Sequence, residues 1–382
     1  MREFVKALKE LKEKKLLRKL SFIESSNGSK ILIKGKQYIN FSSNDYLGLS
    51  KHPEIIKASV TAIGKNGLGS GASRLLSGSC LPHKKLEERI AKFKKTESAL
   101  IFNTGYAANT GIIPAAAGAR CTIFSDELNH ASIIDGARLS RAEIKIYKHR
   151  DVNHLEEQLK KSAGKKLIVT DSVFSMDGDI APLKEIAFLS KRYGAILMID
   201  DAHGTGVLGK NGRGALEHLG IRADNIIQMG TLSKALGCFG AFAAGSKDLT
   251  DLLINRARSF IYSTSLPPAI AEAGIKAIDI VDFKSSQLRK KLWHNRERLY
   301  AGLKNSGYNT FNSETPIIPI FAGDVKNALK LSAYLYKNKI FAPAIRPPTV
   351  PEGNCRIRFS VTAVHTDEDI NMLLEVLKKY KQ

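Results

Sequence analysis

The chain has 382 residues, 43% of them hydrophobic and 25% charged, with 30 Gly and 12 Pro, which is length enough for two or three domains and a composition that excludes collagen-like, disordered and coiled-coil chains. The 59 Lys and Arg against 37 Asp and Glu leave a net charge of +22, so phosphorylated substrates, nucleic acids and membrane surfaces all enter as possible anionic partners. The first twenty residues read as a Lys-rich amphipathic helix, and Glu3, Glu10 and Glu13 within it count against a secretory or organellar presequence. Residues 54–63 follow as a helical stretch. A second helix over 83–95 carries Leu86, Ile90 and Phe93 on one face.

From residue 99 onward, short apolar runs alternate with helical patterns, the signature of a parallel sheet covered by helices. The expected strands are 99–102, 121–124, 144–147, 166–170, 195–199, 225–229 and 240–244, with a helix over 182–193 opened by Pro182. After about residue 275 comes a long charged helical region, then short strands at 317–321 and 356–361 and a last helix from about Thr366. The expected architecture is therefore α/β: a seven-stranded, mainly parallel sheet with helices on both faces, and a smaller C-terminal α+β domain. The corresponding domains are 1–45 (helix and short strands), 46–275 and 276–382. No run of 18 apolar residues is present to span a membrane. Cys80, Cys121, Cys238 and Cys355 are too far apart in sequence for a CxxC or Cys/His cluster, so no metal site is expected and the thiols read as free in a reducing, cytoplasmic compartment.

Two glycine-rich stretches have the spacing of nucleotide turns. Gly67-Leu-Gly69-Ser-Gly71 follows a helical pattern where a dinucleotide site needs a strand, and Gly204-Thr-Gly206-Val-Leu-Gly209 leads into turn formers that cannot open a pyrophosphate-binding helix. The strand ends are more informative, because open parallel sheets place ligand chemistry there. The run 195–199 ends in Asp200-Asp-Ala-His203, and 225–229 leads into Thr231-Leu-Ser-Lys234. An acid, an imidazole and an amine thus converge on successive strand ends. A desolvated lysine forms Schiff bases, and an aspartate opposite a pyridinium nitrogen is the partner that pyridoxal phosphate requires. Hydroxyls at Ser175, Thr231 and Ser233, with the strand-to-helix turn at Gly105-Tyr106, supply a phosphate cradle.

Seven ordered segments carry a family resemblance: Asn40-Phe-Ser-Ser-Asn-Asp-Tyr-Leu-Gly48, Phe102-Asn-Thr-Gly-Tyr-Ala-Ala-Asn109, Asp126-Glu-Leu-Asn-His-Ala-Ser132, Asp171-Ser-Val-Phe-Ser-Met-Asp-Gly178, Asp200-Asp-Ala-His-Gly204, Thr231-Leu-Ser-Lys-Ala-Leu-Gly237 and Ile261-Tyr-Ser-Thr-Ser-Leu-Pro-Pro268. Together they resemble the α-oxoamine synthases, fold-type I enzymes that use pyridoxal 5'-phosphate. Within that family, Ala344-Ile-Arg-Pro-Pro-Thr-Val-Pro351 followed by Arg356-Ile-Arg358 is most like members that condense pimeloyl-CoA with L-alanine. Arg74 and Leu75 also occur in relatives with other acyl-CoA and amino-acid choices, so glycine-using members such as glycine C-acetyltransferase and 5-aminolevulinate synthase remain the alternative.

The resemblance implies roles position by position. Lys234 is the Schiff-base lysine and the base for the α-proton, Asp200 the partner of the pyridinium nitrogen, His130 the ring stacked on the cofactor and His203 a donor to its hydroxyl. Gly105, Tyr106, Ser175 and Thr231 match cofactor contacts, and Thr264 a phosphate contact reaching in from the second subunit of a homodimer with shared active sites. Asn44 and Arg346 hold the amino-acid carboxylate, for which a planar guanidinium is suited, and Arg18 and Thr349 touch the acyl-CoA. A nucleic-acid-binding protein is the remote alternative, raised only by the charge. Its basic residues are spread along the chain without a recognition motif.

Overall fold

The computed structural model describes residues 2–222 and 225–380. The chain divides into two compact units: residues 47–174 with 180–289, and residues 1–46 with 175–179 and 290–382.

The larger unit is built on the seven-stranded sheet. Across the sheet its strands run Ser98–Phe102, Ala241–Gly245, Ile226–Thr231, Ile196–Asp200, Lys165–Asp171, Cys121–Asp126 and Glu143–Tyr147. All are parallel except Ala241–Gly245, which is antiparallel to both neighbours. The inner strands are buried along nearly their whole length, and so read as unbroken apolar runs rather than alternating ones. The edge strand Glu143–Tyr147 is largely exposed and carries Glu143 and Lys145, charges that discourage pairing with another edge. One face of the sheet packs Leu100, Ile123, Val169 and Met229 against Ala108, Ile112, Ile113 and Ile133 of two helices, Gly105–Ala116 and Ala131–Leu139. Those two helices approach closely at Gly136, where a Cβ would stand 2.7 Å from the Asn109 carbonyl oxygen.

The smaller unit holds two sheets. Ser25–Asn27, Lys30–Ile33 and Lys36–Asn40 form an antiparallel meander whose last strand pairs in parallel with Ile340–Phe341. Ile317–Gly323, Cys355–Ser360 and Ala344–Ile345 form the second, antiparallel sheet. Phe41, Ile318, Phe359, Leu335 and Leu373 share one core, closed by the helix Asp367–Lys378, whose N-cap Thr366 and Asp369 satisfy each other's main-chain N–H groups. The first 46 residues therefore join the C-terminal part of the chain instead of standing apart. The division from the larger unit falls inside the helix Ser286–Asn305, later than the expected position near 276. An amphipathic helix runs through a unit boundary without any break in its pattern, so the sequence carries no mark there. Among the described residues no helix is long and apolar enough to cross a membrane.

Candidate active site

Asp126, Asp171, Asp200 and Thr231 each close a strand of the large sheet, and Asp171 and Asp200 stand opposite one another in register. Beyond these ends lie the turns that carry the predicted chemistry.

Asp200 and Asp201 are neighbours in sequence with opposite surroundings. Both are buried. Asp201 receives Lys94 Nζ at 2.9 Å, Thr205 Oγ1 at 3.0 Å, Ser172 Oγ at 2.8 Å and the Ala215 N–H at 3.1 Å, so both its oxygens are committed to a closed ion-pair network. Asp200 lies outside that network and accepts the Asn109 Nδ2–H at 2.8 Å and the Ala202 N–H at 3.0 Å. The two carboxylates thus have different work: Asp201 is part of an ion-pair network, and Asp200 faces the amide of the Gly105–Ala116 helix. His203 is buried in the turn three residues further on.

His130 caps the Ala131–Leu139 helix. Its Nδ1 accepts the Ser132 N–H at 3.2 Å and lies 2.7 Å from Ser132 Oγ, while the His130 main-chain N–H donates to Asp171 Oδ2 at 2.7 Å. Partial removal of the ring from water, foremost, and the Lys234 ammonium hold the imidazole below its ordinary value, and the Asp200 carboxylate pulls the other way. Asp171 is pushed well above the usual carboxylate range, first by burial and then by Asp200, with the His130 N–H and Lys234 opposing. Lys234, Asp200, Asp171 and His130 are therefore within electrostatic reach of one another.

Lys234 is half-buried in a tight loop between strands. Thr231 Oγ1 donates to the Gly240 carbonyl at 2.8 Å and accepts the Ser233 N–H at 3.1 Å, and Ser233 Oγ exchanges bonds with Gly240. Gly237 closes this loop at φ 63°, and its missing side chain leaves room for the main chain at Ser50, which a Cβ would meet at 2.3 Å. The hydroxyls at 231 and 233 thus shape the loop that presents the amine. Gly105 and Tyr106 begin the next helix after the N-cap Thr104, whose Oγ1 accepts the Ala107 N–H at 3.0 Å. The N–H groups of Gly105 and Tyr106 lie ahead of any helical acceptor and are donors for an anion. The Tyr106 phenol turns to Asp135 Oδ2 at 2.5 Å, and that bond, above all, raises it. Thr264 is exposed, with its carbonyl accepting Asn103 Nδ2–H at 2.8 Å. An amine beside a carboxylate, two imidazoles and a helix N-terminus form a donor set whose chemistry fits pyridoxal phosphate.

The remaining predicted residues belong to the smaller unit. Arg346 spends its guanidinium on the carbonyls of Lys15 and Leu17. Arg18 reaches the Pro347 carbonyl at 3.1 Å and Thr349 Oγ1 at 3.5 Å, so Arg18, Arg346 and Thr349 are brought together. Asn44 is elsewhere, with its Oδ1 accepting Arg358 Nη2–H at 3.1 Å. Arg358 also donates to the Ser175 carbonyl at 2.5 Å and the Tyr46 hydroxyl at 3.4 Å. Burial pushes the Tyr46 phenol up to about 12 despite that guanidinium. Arg358 thereby gathers Asn44 and Ser175, a role not anticipated from the sequence. Its place in Arg356-Ile-Arg358, two residues along a buried strand, was the available signal, since a buried arginine needs partners or a ligand. Asn109, Ser132 and Asp171 likewise lie inside the matched motifs with no role expected of them.

The family model for class I and II aminotransferases matches residues 36–377. The chain belongs to that family. It is 50% identical over 381 residues to the 8-amino-7-oxononanoate synthase of Geotalea daltonii, covering 99% of this chain and 97% of the relative. It is also 50% identical over 372 residues to the 8-amino-7-oxononanoate synthase of Geobacter metallireducens, covering 97% and 95%. Among solved structures, the serine palmitoyltransferase of S. paucimobilis with bound PLP–myriocin aldimine superposes at a TM-score of 0.93 with 30% identity, covering 98% of this chain and 96% of that one. The 8-amino-7-oxononanoate synthase of Francisella tularensis superposes at 0.79 with 31% identity over 90% and 97%.

Proposed function

We propose that this chain condenses pimeloyl-CoA with L-alanine to 8-amino-7-oxononanoate, coenzyme A and carbon dioxide, a step of biotin synthesis, using pyridoxal 5'-phosphate. The observation that carries the reading is the convergence of Lys234, Asp200 and His130 at the strand ends of a chain that matches 8-amino-7-oxononanoate synthases along almost its full length.

Bound pyridoxal phosphate supplies an electron sink for negative charge at the amino-acid α-carbon. Lys234 Nζ would be the amine that holds the cofactor and the base that takes the α-proton. The Asp200 carboxylate holds the proton on the pyridine nitrogen. His130 would cover the ring of the bound cofactor and His203 would donate to its hydroxyl. The N–H groups of Gly105 and Tyr106, with Thr231 and Ser175 of the same chain, would bind the phosphate, joined by Thr264 from a second copy, the chain acting as a cytoplasmic homodimer. On the smaller unit, Arg358 is the carboxylate grip in place of Arg346. Arg358 is buried and bonded to the Asn44 side chain and the Tyr46 hydroxyl as well as to one carbonyl, whereas the guanidinium of Arg346 is engaged with main-chain carbonyls alone. Arg18 and Thr349 contact the acyl-CoA, whose phosphates and carboxylate suit a chain of charge +22.

The test is release of coenzyme A from pimeloyl-CoA with alanine or glycine. A methyl group in a fitted pocket discriminates by about 1–3 kcal/mol, so alanine is expected to lead by roughly 10- to 200-fold. Equal or faster turnover of glycine with acetyl-CoA would overturn the substrate assignment and favour a glycine-using member of the family. Replacement of Arg358 by Lys is expected to raise the alanine KM more than Arg346→Lys does, because an ammonium cannot reproduce the bidentate fork.

A further inference from the structure

Asn109 is completely buried in the middle of the Gly105–Ala116 helix, among alanines, glycine and isoleucines. Such a residue is costly unless its amide is used. Its Nδ2 lies 2.8 Å from Asp200 Oδ2 and 2.9 Å from Ser132 Oγ. Ser132 Oγ in turn lies 2.7 Å from His130 Nδ1.

The direction of every bond in this series follows from one fact. The Ser132 main-chain N–H points at His130 Nδ1 at 3.2 Å, and a main-chain N–H can only donate, so Nδ1 carries no proton. The Ser132 hydroxyl, also next to Nδ1, must then give its single hydrogen to it. Its oxygen is left as an acceptor, which the Asn109 amide N–H fills. The second amide N–H meets the Asp200 carboxylate. Turning the amide over would set its oxygen against a carboxylate on one side and a hydroxyl with no hydrogen to spare on the other. The observed orientation leaves Asn109 Oδ1 buried without a partner among the described residues, a cost of about 1–3 kcal/mol that is accepted to keep both donors in use.

We propose that Asn109 and Ser132 are positioning residues: they form a buried hydrogen-bond chain from Asp200 to His130 that holds the His130 ring in one plane, in the neutral tautomer set by the Ser132 main-chain N–H, with its proton on Nε2. The groups facing His130 agree with this state. Lys234 and partial burial disfavour a second proton, and Asp200, which favours one, has an oxygen engaged by Asn109. The Asp171 carboxylate fixes the main chain of the same residue at 2.7 Å. His130 therefore presents a fixed plane and a fixed Nε2–H donor. Gly136 makes the chain possible, because only a residue without Cβ lets the Ala131–Leu139 helix approach Asn109 this closely.

The inference rests on the reading of His130 as the residue over the cofactor only for its effect on rate, and the test separates the two. Long-range ¹H–¹⁵N spectra of histidine-labelled holoenzyme, with His130→Gln to assign the signal, should place Nδ1 in the unprotonated range and Nε2 in the protonated range. Ser132→Ala and Asn109→Leu should shift the Nδ1 resonance and lower kcat about ten- to a hundredfold, as expected when a reacting group is slightly misplaced. Ser132→Thr, which keeps the hydroxyl, should restore both. The double variant should be no slower than the worse single one, since either change breaks the same chain. Should Asn109→Leu fail to fold, Ser132→Ala and Ser132→Thr decide alone. A protonated Nδ1 in the wild type, an Nδ1 resonance that ignores Ser132→Ala, or losses that multiply in the double variant would each overturn the proposal. An intact signal without condensation activity would instead count against the functional reading.

Discussion

His130 in the larger unit and His365 in the smaller one are held by the same pair of donors. At His130, Nδ1 takes the Ser132 N–H at 3.2 Å and faces its hydroxyl at 2.7 Å; at His365, Nδ1 takes the Thr362 N–H at 3.0 Å and faces that hydroxyl at 2.8 Å. The same logic removes the proton from Nδ1 in both. What differs is the far side. His365 is sealed in the core and stacked on Phe41 with ring centroids 4.3 Å apart, whereas His130 reaches solvent and is linked through Ser132 and Asn109 to Asp200. A local hydrogen-bond pattern therefore sets a histidine's tautomer, and the surroundings decide whether that tautomer serves packing or chemistry.

The comparison breaks most sharply at His365. His365→Ala leaves a cavity beside Phe41 and removes the acceptor for the Thr362 N–H, so a loss of about 3–4 kcal/mol of stability is expected in denaturant titrations, with kcat of the folded fraction unchanged. A loss of turnover in the folded fraction at native stability would reverse the assignment. Acid should reveal the same residue. Burial, its chief cause, pushes the His365 imidazole down to about 4 against the pull of Asp369. The unfolded chain takes up this proton near pH 6.5 and the folded one only near 4, so the unfolded state binds more protons between them. Stability is full above about 6.5 and falls as the pH drops through that window, by roughly 3 kcal/mol at its lower end. The difference between wild type and His365→Gln measured from pH 7 to 4 isolates the effect, and parallel curves would refute it.

For His130 the expectation is inverted. His130→Ala should cost only the lost helix cap, about 1 kcal/mol of stability, and lower kcat about a hundredfold, because the ring that orients the reacting group is gone while its exposed edge contributes little to packing. His130→Phe sharpens this, since it keeps the ring face but has no Nε2–H. Recovery by Phe would assign the role to stacking alone.

How much of this was legible in the sequence depends on whether the signal was local. The inner strands stood out as apolar runs because both faces of a central sheet are buried, and Asp200 and Lys234 stood out because polar residues at or just beyond the ends of such runs have few structural uses. The direction of Ala241–Gly245 was not legible, as a run of small apolar residues fits a parallel or an antiparallel place equally well. The short strands Ser25–Asn27 and Ile340–Phe341 owe their existence to pairing rather than to propensity. Arg346 and Arg358 look alike in sequence, and only the fold shows that one holds main-chain carbonyls while the other gathers Asn44 and Ser175. Asn109 did leave a trace: it is the buried amide one helical turn beyond Gly105 in a helix otherwise made of small and apolar residues apart from Tyr106 and Thr110. Its partners, 23 and 91 positions away, could not be read from that trace.

The smallest effect is expected where the two histidines are most alike. Thr362→Ala deletes the hydroxyl beside His365 Nδ1 but keeps the main-chain N–H, so the ring retains one donor and the tautomer is unchanged. The cost is one neutral hydrogen bond plus a buried methyl group, about 1–2 kcal/mol of stability and nothing in kcat. Ser132→Ala makes the same deletion at His130, where the lost hydroxyl is also a link to Asp200, and there the effect falls on kcat instead. If the two alanine variants behaved alike, both altering stability or both altering turnover, the hydroxyl would have one role in both places and the distinction drawn from their surroundings would fail. Unfolding titrations and steady-state rates on the same two preparations decide it.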